Sequence, residues 1–308
     1  MDRSQVAVII PTLRAASHWQ DLTAALALQG IPAKQILIVD SGSADGTPQM
    51  AVQAGFQLLE IPREEFRHGG TRQLAARHVP WAKIVIYLTQ DSFPVEGAFD
   101  TLLRAFDDPQ VAAAYGRQLP RPGAGPIEAH ARFFNYPATS RVHSFADRQQ
   151  LGIKAAFFSN NFAAYRTAAL EQAGGFSPDT IMAEDTLMAA RLLMLGWKTA
   201  YVAEAQSVHS HSYSMVQSLH RYFDIGVYHV RESWLRESFG EPGDEGNRFV
   251  VSEMRALWPR HIYLLPYALL LNAAKLLGYR LGRLEARLGR RWAKRLSYHP
   301  SFWDRRDF

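Results

Sequence analysis

The segment QILIVDSGSADGT (35–47) decides the fold of this chain, because a short apolar run ends there in an acid and a turn of small polar residues. Similar apolar runs occur at VAVIIP (6–11) and KIVIYL (83–88), and helix-like segments separate the three. Continuous apolarity without alternation is typical of strands that are covered on both faces in a parallel sheet built from βαβ units. The first half of the chain is therefore predicted to be α/β.

Polar residues follow each run, at the carboxyl end where open parallel sheets bind ligands. They are Pro11 and Thr12, Asp40 and Ser41, and Gln90 and Asp91. We expect them to lie along one edge of the sheet. An NAD-dependent dehydrogenase is not indicated, because PTLRAAS, and not G-x-G-x-x-G, follows the first strand.

The composition is that of a folded globular protein, with 308 residues, 47% hydrophobic and 20% charged, enough for one or two domains. The absence of cysteine excludes disulfides and thiol catalysis, so any metal must be held by oxygen or imidazole. The first apolar run is too short for a signal peptide, and we expect a cytoplasmic protein. A net charge of +5 suits anionic partners such as nucleotides or phospholipid surfaces, and nucleic acid is not expected.

The second half of the chain is less regular. The segment GRQLPRPGAGP (116–126) predicts a loop or a change of direction. The segment DTLMAARLLML (185–195) has the apolar spacing of a helix, and AYVAEAQSVH (200–209) is predicted to be an edge strand.

The last third has the patterning of a membrane-associated segment. The run IYLLPYALLLNAAKLLG (262–278) is nearly all apolar and is followed by a stretch rich in arginine. Pro266, Asn272 and Lys275 interrupt a run shorter than the roughly 20 residues that a spanning helix needs, so we expect a helix lying in the interface beside anionic head groups. The alternative is a buried amphipathic helix followed by a solvated basic one.

Two motifs suit a nucleotide diphosphate. In the turn after the second strand, Asp40 could accept a hydrogen bond from a pyrimidine N–H, although the same residues also suit an ordinary turn before a helix. In REEFRHGGTRQLAARH (63–78), His68 and two glycines precede a helix predicted to open at Thr71 and Arg72, where free N–H groups and an arginine would attract phosphate. The alternative is a glycine-rich turn with an exposed arginine.

Two further motifs suit acid–base and metal chemistry. In MAEDTLMAAR (182–191), Asp185 at a helix start could take the proton of an acceptor hydroxyl. Glu184 could orient Asp185 or bind acceptor hydroxyls. The alternative is that the helix dipole alone favours acids at this position. In SVHSHSYS (207–214), His209 or His211 could join Asp91 in a cation site, and a plain surface strand is the alternative.

Taken in order, these motifs resemble the family-2 inverting glycosyltransferases with the Rossmann-like GT-A fold and a mostly parallel central sheet. The segments that carry the resemblance are VAVIIPTLRA, ILIVDSGSADGT, HGGTRQLAAR, YLTQDSFP, NNFAAYRTAALEQAGGF and MAEDTLMAARLLMLGWKTAYVAEAQSVHSHSYS. FRHGGTR with LTQDSFP is most similar to the bacterial rhamnosyltransferases, which use dTDP-L-rhamnose. The resemblance implies a GT-A domain over 1–217, with a nucleotide-sugar half (1–115) and an acceptor half (116–217), and a helical region over 218–308.

The resemblance also implies roles for individual residues. The nucleotide sugar would be bound by Pro11, Thr12, Asp40, Ser41, Ser43, His68, Gly69, Arg72, Gln90 and Asp91; the acceptor by Asn160, Asn161 and Glu184; and Mg²⁺ or Mn²⁺ by Asp91 and His209. Thr89 stands where the first acid of the family's DxD element usually lies, which departs from the pattern.

The implied reaction is a single displacement in which a hydroxyl of a glycan or lipid-linked acceptor attacks the sugar and Asp185 takes its proton. The protein would serve cell-surface polysaccharide synthesis at the inner face of the cytoplasmic membrane. Alternatives are a family-2 transferase that uses a UDP-linked sugar, and a catalytically silent sugar-binding or assembly protein on the same fold.

Overall fold

The computed structural model describes residues 2–241 and 243–304, with a hydrophobic core on each face of one central sheet. The strands are β1 (Val6–Thr12), β2 (Ile36–Asp40), β3 (Gln57–Glu60), β4 (Ile84–Leu88), β5 (Phe93–Pro94), β6 (Val111–Leu119), β7 (Arg141–His143), β8 (Phe162–Arg166) and β9 (Lys198–Val208). The helices are α1 (Trp19–Ala27), α2 (Thr47–Gln53), α3 (His68–His78), α4 (Ala98–Leu103), α5 (Pro126–Asn135), α6 (Arg148–Leu151), α7 (Thr167–Gln172), α8 (Glu184–Met194), α9 (Met215–Arg231), α10 (Ser233–Phe239), α11 (Glu245–Leu257), α12 (Leu265–Gly282) and α13 (Glu285–Leu296).

The sheet has the order β3-β2-β1-β4-β8-β6-β9-β5, and β7 pairs with another part of β9. Strands β3, β2, β1 and β4 are parallel, whereas β8 runs antiparallel to both of its neighbours. The α/β prediction is confirmed, with a sheet more mixed than the sequence indicates. The edge-strand prediction for 200–209 is wrong, because β9 has β6 on one side and both β5 and β7 on the other.

Strand direction explains why distant polar residues meet at one edge of the sheet. The parallel strands β1, β2 and β4 all end on the same side. Because β8 runs the opposite way, its first residue, Phe162, pairs with Leu88 at the end of β4. Strands β6 and β9 turn back again, and their last residues, Leu119 and Val208, pair at that edge just before His209.

The predicted strands of the first half are confirmed, and every residue of β2 and β4 is buried, as expected for strands covered on both faces. The helix predicted over 185–195 is also confirmed as α8.

Helix α3 begins earlier than the sequence predicts, at His68 instead of Thr71. Arg67 is extended, and its N–H donates to Thr71 Oγ1 at 3.1 Å, so the helix already starts after Arg67. Gly69 therefore lies in the first turn, where a Cβ would collide with the carbonyl of Ser177. This contact with the backbone of Ser177 is sufficient to require glycine at this position, and the role of Gly69 at the diphosphate stays a prediction.

Helices α9 and α12 approach each other closely at three glycines. A Cβ on Gly226 of α9, or on Gly278 or Gly282 of α12, would collide with a backbone carbonyl of the facing helix. The four-residue spacing of Gly278 and Gly282 puts both on one helix face, which is typical of closely packed helix pairs. The inner face of α12 is therefore occupied by protein.

We expect Gly282→Ala to lower the free energy of unfolding by about 1–3 kcal/mol, because its methyl group would push α12 away from the Phe223 carbonyl. Gly246→Ala in α11 is the matched control, since nothing lies near the Cβ position there. Urea unfolding of both variants measures the difference. Equal unfolding midpoints for the two variants would contradict the close helix contact.

Candidate active site

Two neighbouring carboxylates, Glu184 and Asp185, open helix α8 in different surroundings. Asp185 accepts hydrogen bonds from the backbone N–H groups of Asn160 (2.9 Å) and Thr186 (2.8 Å). Glu184, which is 5% exposed, accepts from Asn160 Nδ2 at 3.1 Å and pairs with Arg72 Nη1 at 3.0 Å. Asn160 therefore holds both acids in place.

These surroundings push the two pKa values apart. Burial and the negative charge of Glu184 raise the pKa of Asp185 to about 7. Burial also acts on Glu184, but the positive charges of Arg72 and His68 outweigh it and lower the pKa of Glu184. A carboxylate that titrates near neutrality beside one that stays ionised is the arrangement expected of a general base.

The backbone is strained on either side of this edge. Ala183, directly before the acid pair, has φ 58° and ψ 35°, a left-handed conformation that costs a non-glycine residue roughly 1 kcal/mol or more. In the described part of the chain, Arg14 is the other non-glycine residue with positive φ (52°), and it lies just beyond β1. Such strain concentrates at functional sites, which supports a functional role for both turns.

Asp91, His209 and His211 bring three potential metal-ligand atoms together. Asp91 Oδ2 lies 2.9 Å from His211 Nε2, Asp91 Oδ1 lies 3.5 Å from His209 Nε2, and the two Nε2 atoms are 3.0 Å apart. Ligand atoms bound to one cation at about 2.1 Å are separated by roughly 3 Å, so the cluster fits a divalent cation. Both histidines face Asp91, whereas the sequence left the choice between them open.

The protein also prepares these groups as ligands. Burial acts to raise the pKa of Asp91, but hydrogen bonds from His209 and His211 outweigh it and lower that pKa well below its usual range. His209 Nδ1 lies 3.1 Å from Gln118 Oε1, an acceptor that keeps a proton on Nδ1. On binding a cation, His209 would therefore lose the Nε2 proton that it shares with Asp91 and coordinate through the Nε2 lone pair. Gln118 was missed by sequence reasoning, because it lies 91 residues from His209 and no local motif marks it.

The turn after β2 is organised around the buried carboxylate of Asp40. Thr12 Oγ1 donates to Asp40 Oδ2 at 2.9 Å, while Ser43 donates from its N–H to Oδ1 (2.7 Å) and from its hydroxyl to Oδ2 (2.6 Å). Ser41 Oγ donates to the Thr12 carbonyl at 2.9 Å, next to Pro11 in β1. The structure thus brings these predicted nucleotide residues together. The fully buried carboxylate of Asp40 accepts three hydrogen bonds from the protein, and its contact with a base stays a prediction.

Gln90 and Asn161 fix the loop that carries Asp91. Gln90 Oε1 accepts from the N–H of Leu13 at 2.8 Å, and its Nε2 donates to the Leu13 carbonyl at 3.1 Å. Asn161 Nδ2 donates to Thr89 Oγ1 at 2.6 Å, so threonine at the first DxD position is used to hold Asn161. Both asparagines predicted to contact the acceptor are buried and bonded to the protein, and their acceptor role stays a prediction.

His68 and Arg72, both expected to face the diphosphate, have different surroundings in the structure. The ring of His68 is packed edge-on against Phe66 and His299, each with 5.1 Å between ring centroids. Arg72 is not the exposed arginine considered from the sequence, because it is buried against Glu184 and its Nη1 also donates to the His68 carbonyl at 2.8 Å. The contacts of Arg72 therefore stabilise the ionised form of Glu184.

Solved structures share this architecture. The mannosyltransferase PcManGT from Pyrobaculum calidifontis, in complex with GDP-Man and Mn²⁺, aligns over 97% of this chain and 85% of its own, with a TM-score of 0.55 and 20% identity. S. aureus TarS 1–349 in complex with UDP aligns over 92% of each chain, with a TM-score of 0.52 and 14% identity. At these identities the likeness concerns the fold, which is that of the GT-A glycosyltransferases.

Sequence similarity narrows this class to a family. Residues 84–280 match the family described as Glycosyl transferase family group 2, and the chain belongs to that family. It is 41% identical over 302 residues to the O-antigen chain rhamnosyltransferase RfbN of Salmonella typhimurium, covering 97% of this chain and 96% of that protein. It is also 41% identical over 299 residues to the O-antigen chain rhamnosyltransferase WbaN of Salmonella anatum, covering 96% and 95%. The predicted family is confirmed, and the chain is a glycosyltransferase.

Proposed function

We propose that this glycosyltransferase moves L-rhamnose from dTDP-L-rhamnose onto a hydroxyl of a glycan or lipid-linked acceptor in cell-surface polysaccharide synthesis. The 41% identity to two O-antigen chain rhamnosyltransferases supports rhamnose as the transferred sugar. The observation that carries the chemistry is a series of hydrogen bonds that connects the acid pair to the cation cluster. Asn160 holds Asp185, and the next residue, Asn161, holds Thr89, whose side chain hydrogen-bonds to Asp91.

The reaction follows from these positions. The acceptor oxygen attacks the anomeric carbon while Asp185 takes its proton, and the bond from that carbon to the diphosphate oxygen breaks with its electron pair. Because attack and departure occur on opposite faces, the anomeric configuration inverts. A divalent cation at Asp91, His209 and His211 would neutralise the charge that develops on the departing nucleotide diphosphate.

A donor panel tests the sugar. With Mn²⁺ present, we expect release of nucleoside diphosphate from dTDP-L-rhamnose to exceed release from UDP-glucose, UDP-N-acetylglucosamine and GDP-mannose by at least about tenfold in kcat/KM, because a polar site rejects a substrate that leaves its groups unpaired. A preference for a UDP-linked sugar would establish the alternative transferase. Binding without turnover of any donor would indicate the silent sugar-binding protein instead.

The outer face of α12 supports a membrane surface as a further partner. Leu269, Leu270, Leu276 and Leu277 are each about half exposed. Two polar residues in the middle of the helix point inward: Asn272 Nδ2 donates to Glu253 Oε2 at 2.6 Å, and Lys275 Nζ donates to Asn272 Oδ1 at 3.3 Å. The exposed face is therefore continuously apolar, which is the reverse of an ordinary surface helix.

Within the described residues, the stretch Ile262–Gly282 is long and apolar enough to cross a membrane, with 21 residues and a mean hydropathy of 1.3. Its inner face is packed on α9, which leaves only one side for lipid and supports a helix lying in the interface. Arg280, Arg283, Arg287 and Arg291 follow as exposed cations suited to anionic head groups. These features support our proposal that the protein binds the inner face of the cytoplasmic membrane.

We expect Leu270→Gln with Leu277→Gln to weaken binding to phosphatidylglycerol-containing vesicles by at least about tenfold, because two apolar side chains no longer enter the lipid. Leu28→Gln with Leu195→Gln is the matched control, since those leucines are also about half exposed but lie elsewhere. Vesicle sedimentation measures both. Equal loss in the two double variants, or no loss in either, would mean that α12 is not the membrane contact.

A further inference from the structure

The end of the C-terminal helical region returns to the candidate active site. The ring of His299 lies 5.1 Å from that of His68, at the start of α3, and the ring of Tyr298 lies 6.0 Å from that of Tyr213. The N–H of His299 donates to the buried carboxylate of Asp224 in α9 at 3.0 Å. Helix α9 and the residues after α13 therefore form a wall opposite the edge of the sheet that carries the candidate site.

Arg221 of α9 lies in this wall. Its guanidinium carbon is 5.4 Å from the centre of the Tyr213 ring, and Tyr213 in turn lies 5.7 Å from the ring of the cation-cluster residue His211. Among residues 2–241 and 243–304, no hydrogen bond or ion pair is made by the half-buried Arg221 side chain. The guanidinium donors of Arg221 are therefore free to bind an anion in this wall.

Neither the imidazole of His299 nor the carboxyl group of Asp224 fully neutralises the charge of Arg221. Burial, with the positive charges of His68 and Arg221, lowers the pKa of His299 to about 3, so that imidazole is neutral. Burial raises the pKa of Asp224 to about 7, and its carboxyl group is directed to Ser297 and the backbone of His299. The pKa values of Tyr136, Tyr222 and Tyr298 are raised by burial, so these neighbours carry no charge at neutral pH. The wall therefore presents a net positive charge near the cation cluster.

We propose that Arg221 is a diphosphate-binding residue, which the helical region contributes to the site from outside the GT-A domain. A guanidinium offers forked donors that match two phosphate oxygens, and Tyr213 orients it by stacking. The inference rests on the proposed function, because that reaction supplies the diphosphate. The group belongs either to the nucleotide sugar or to a lipid carrier of the acceptor, and both present the same chemistry.

Calorimetry with two diphosphate probes, and with farnesol as a probe that lacks the diphosphate, tests the assignment and separates the sources. For Arg221→Gln we expect at least about tenfold weaker binding of one diphosphate probe, either dTDP with Mn²⁺ or farnesyl diphosphate in detergent, and unchanged binding of farnesol. Arg255→Gln is the matched control, because Arg255 is an exposed arginine on α11. Arg221→Lys keeps the charge but loses the fork, so we expect an intermediate loss of about threefold or more.

The outcomes are distinct. Weaker dTDP binding assigns Arg221 to the donor, and weaker farnesyl diphosphate binding alone assigns it to the lipid carrier. Wild-type affinity of Arg221→Gln for both probes overturns the inference and leaves the proposed function intact. If Arg221→Gln does not fold, wild-type affinity of Arg221→Lys for both probes would also overturn the inference. Failure of the wild-type protein to bind dTDP with Mn²⁺ would overturn the proposed function, and the inference with it.

Discussion

Asp185→Asn is expected to reduce turnover by about 10²- to 10⁴-fold while donor affinity stays near that of the wild-type protein, because only proton removal from the acceptor is lost. The geometry supports this separation. The Asp185 oxygens are held by the backbone N–H groups of Asn160 and Thr186, whereas the turn proposed to bind the nucleotide is organised around Asp40. Single-turnover transfer and calorimetry with the donor measure the two quantities independently.

Asp21→Asn is the matched control, since Asp21 is an exposed acid in the first turn of α1 and makes the same change in charge at a helix start. Wild-type turnover in Asp185→Asn would remove the residue from the reaction. Loss of donor binding together with turnover would mean that Asp185 contributes to binding or folding and not to proton transfer.

The pH dependence of turnover gives a second readout of the same residue. A base must be deprotonated to act, and burial beside Glu184 raises the pKa of Asp185 to about 7. Turnover should therefore rise as the pH increases from about 6 to 8 and level off above that range. Replacing Arg72 by Gln removes the charge that keeps Glu184 ionised. The pH at which turnover reaches half of its maximum should therefore differ from that of the wild-type protein. A flat profile would contradict a base that titrates near neutrality.

Asp91→Ala is expected to raise the Mn²⁺ concentration needed for half-maximal activity by at least about 100-fold, since even outer-shell changes at metal sites cost 10- to 100-fold. The carboxylate supplies the one negative charge of the cluster, so donor binding that depends on the cation should fall as well. Asp107→Ala is the matched control, since Asp107 is an exposed acid that is not part of the cluster. Activity of Asp91→Ala that responds to Mn²⁺ and chelator as in the wild-type protein would exclude the site.

The two histidines add a prediction about the metal. Imidazole suits first-row transition metals better than it suits Mg²⁺, which prefers oxygen ligands. We expect Mn²⁺ to support activity at lower concentration than Mg²⁺, and His211→Asp to narrow that difference. An unchanged Mn²⁺ to Mg²⁺ preference in His211→Asp would place His211 outside the coordination shell.

Much of the fold and part of the site follow from local sequence. The apolar runs of β1, β2 and β4 and the polar residues after them are read without knowledge of the rest of the chain, because strand pattern and turn chemistry are set by near neighbours. The same local reading located Asp40, Asp91 and the Glu184–Asp185 pair. It also marked the apolar stretch that became α12.

Tertiary structure decided which of these residues act together and which way they face. Arg72 and Glu184 form a buried pair 112 residues apart, Gln118 orients His209, and Asn272 and Lys275 turn inward so that the outer face of α12 is apolar. The position of β9 inside the sheet, which brings both histidines to Asp91, belongs to the same group. Such contacts depend on strand order and helix packing, and a local pattern of residues is the same whichever neighbours the fold provides.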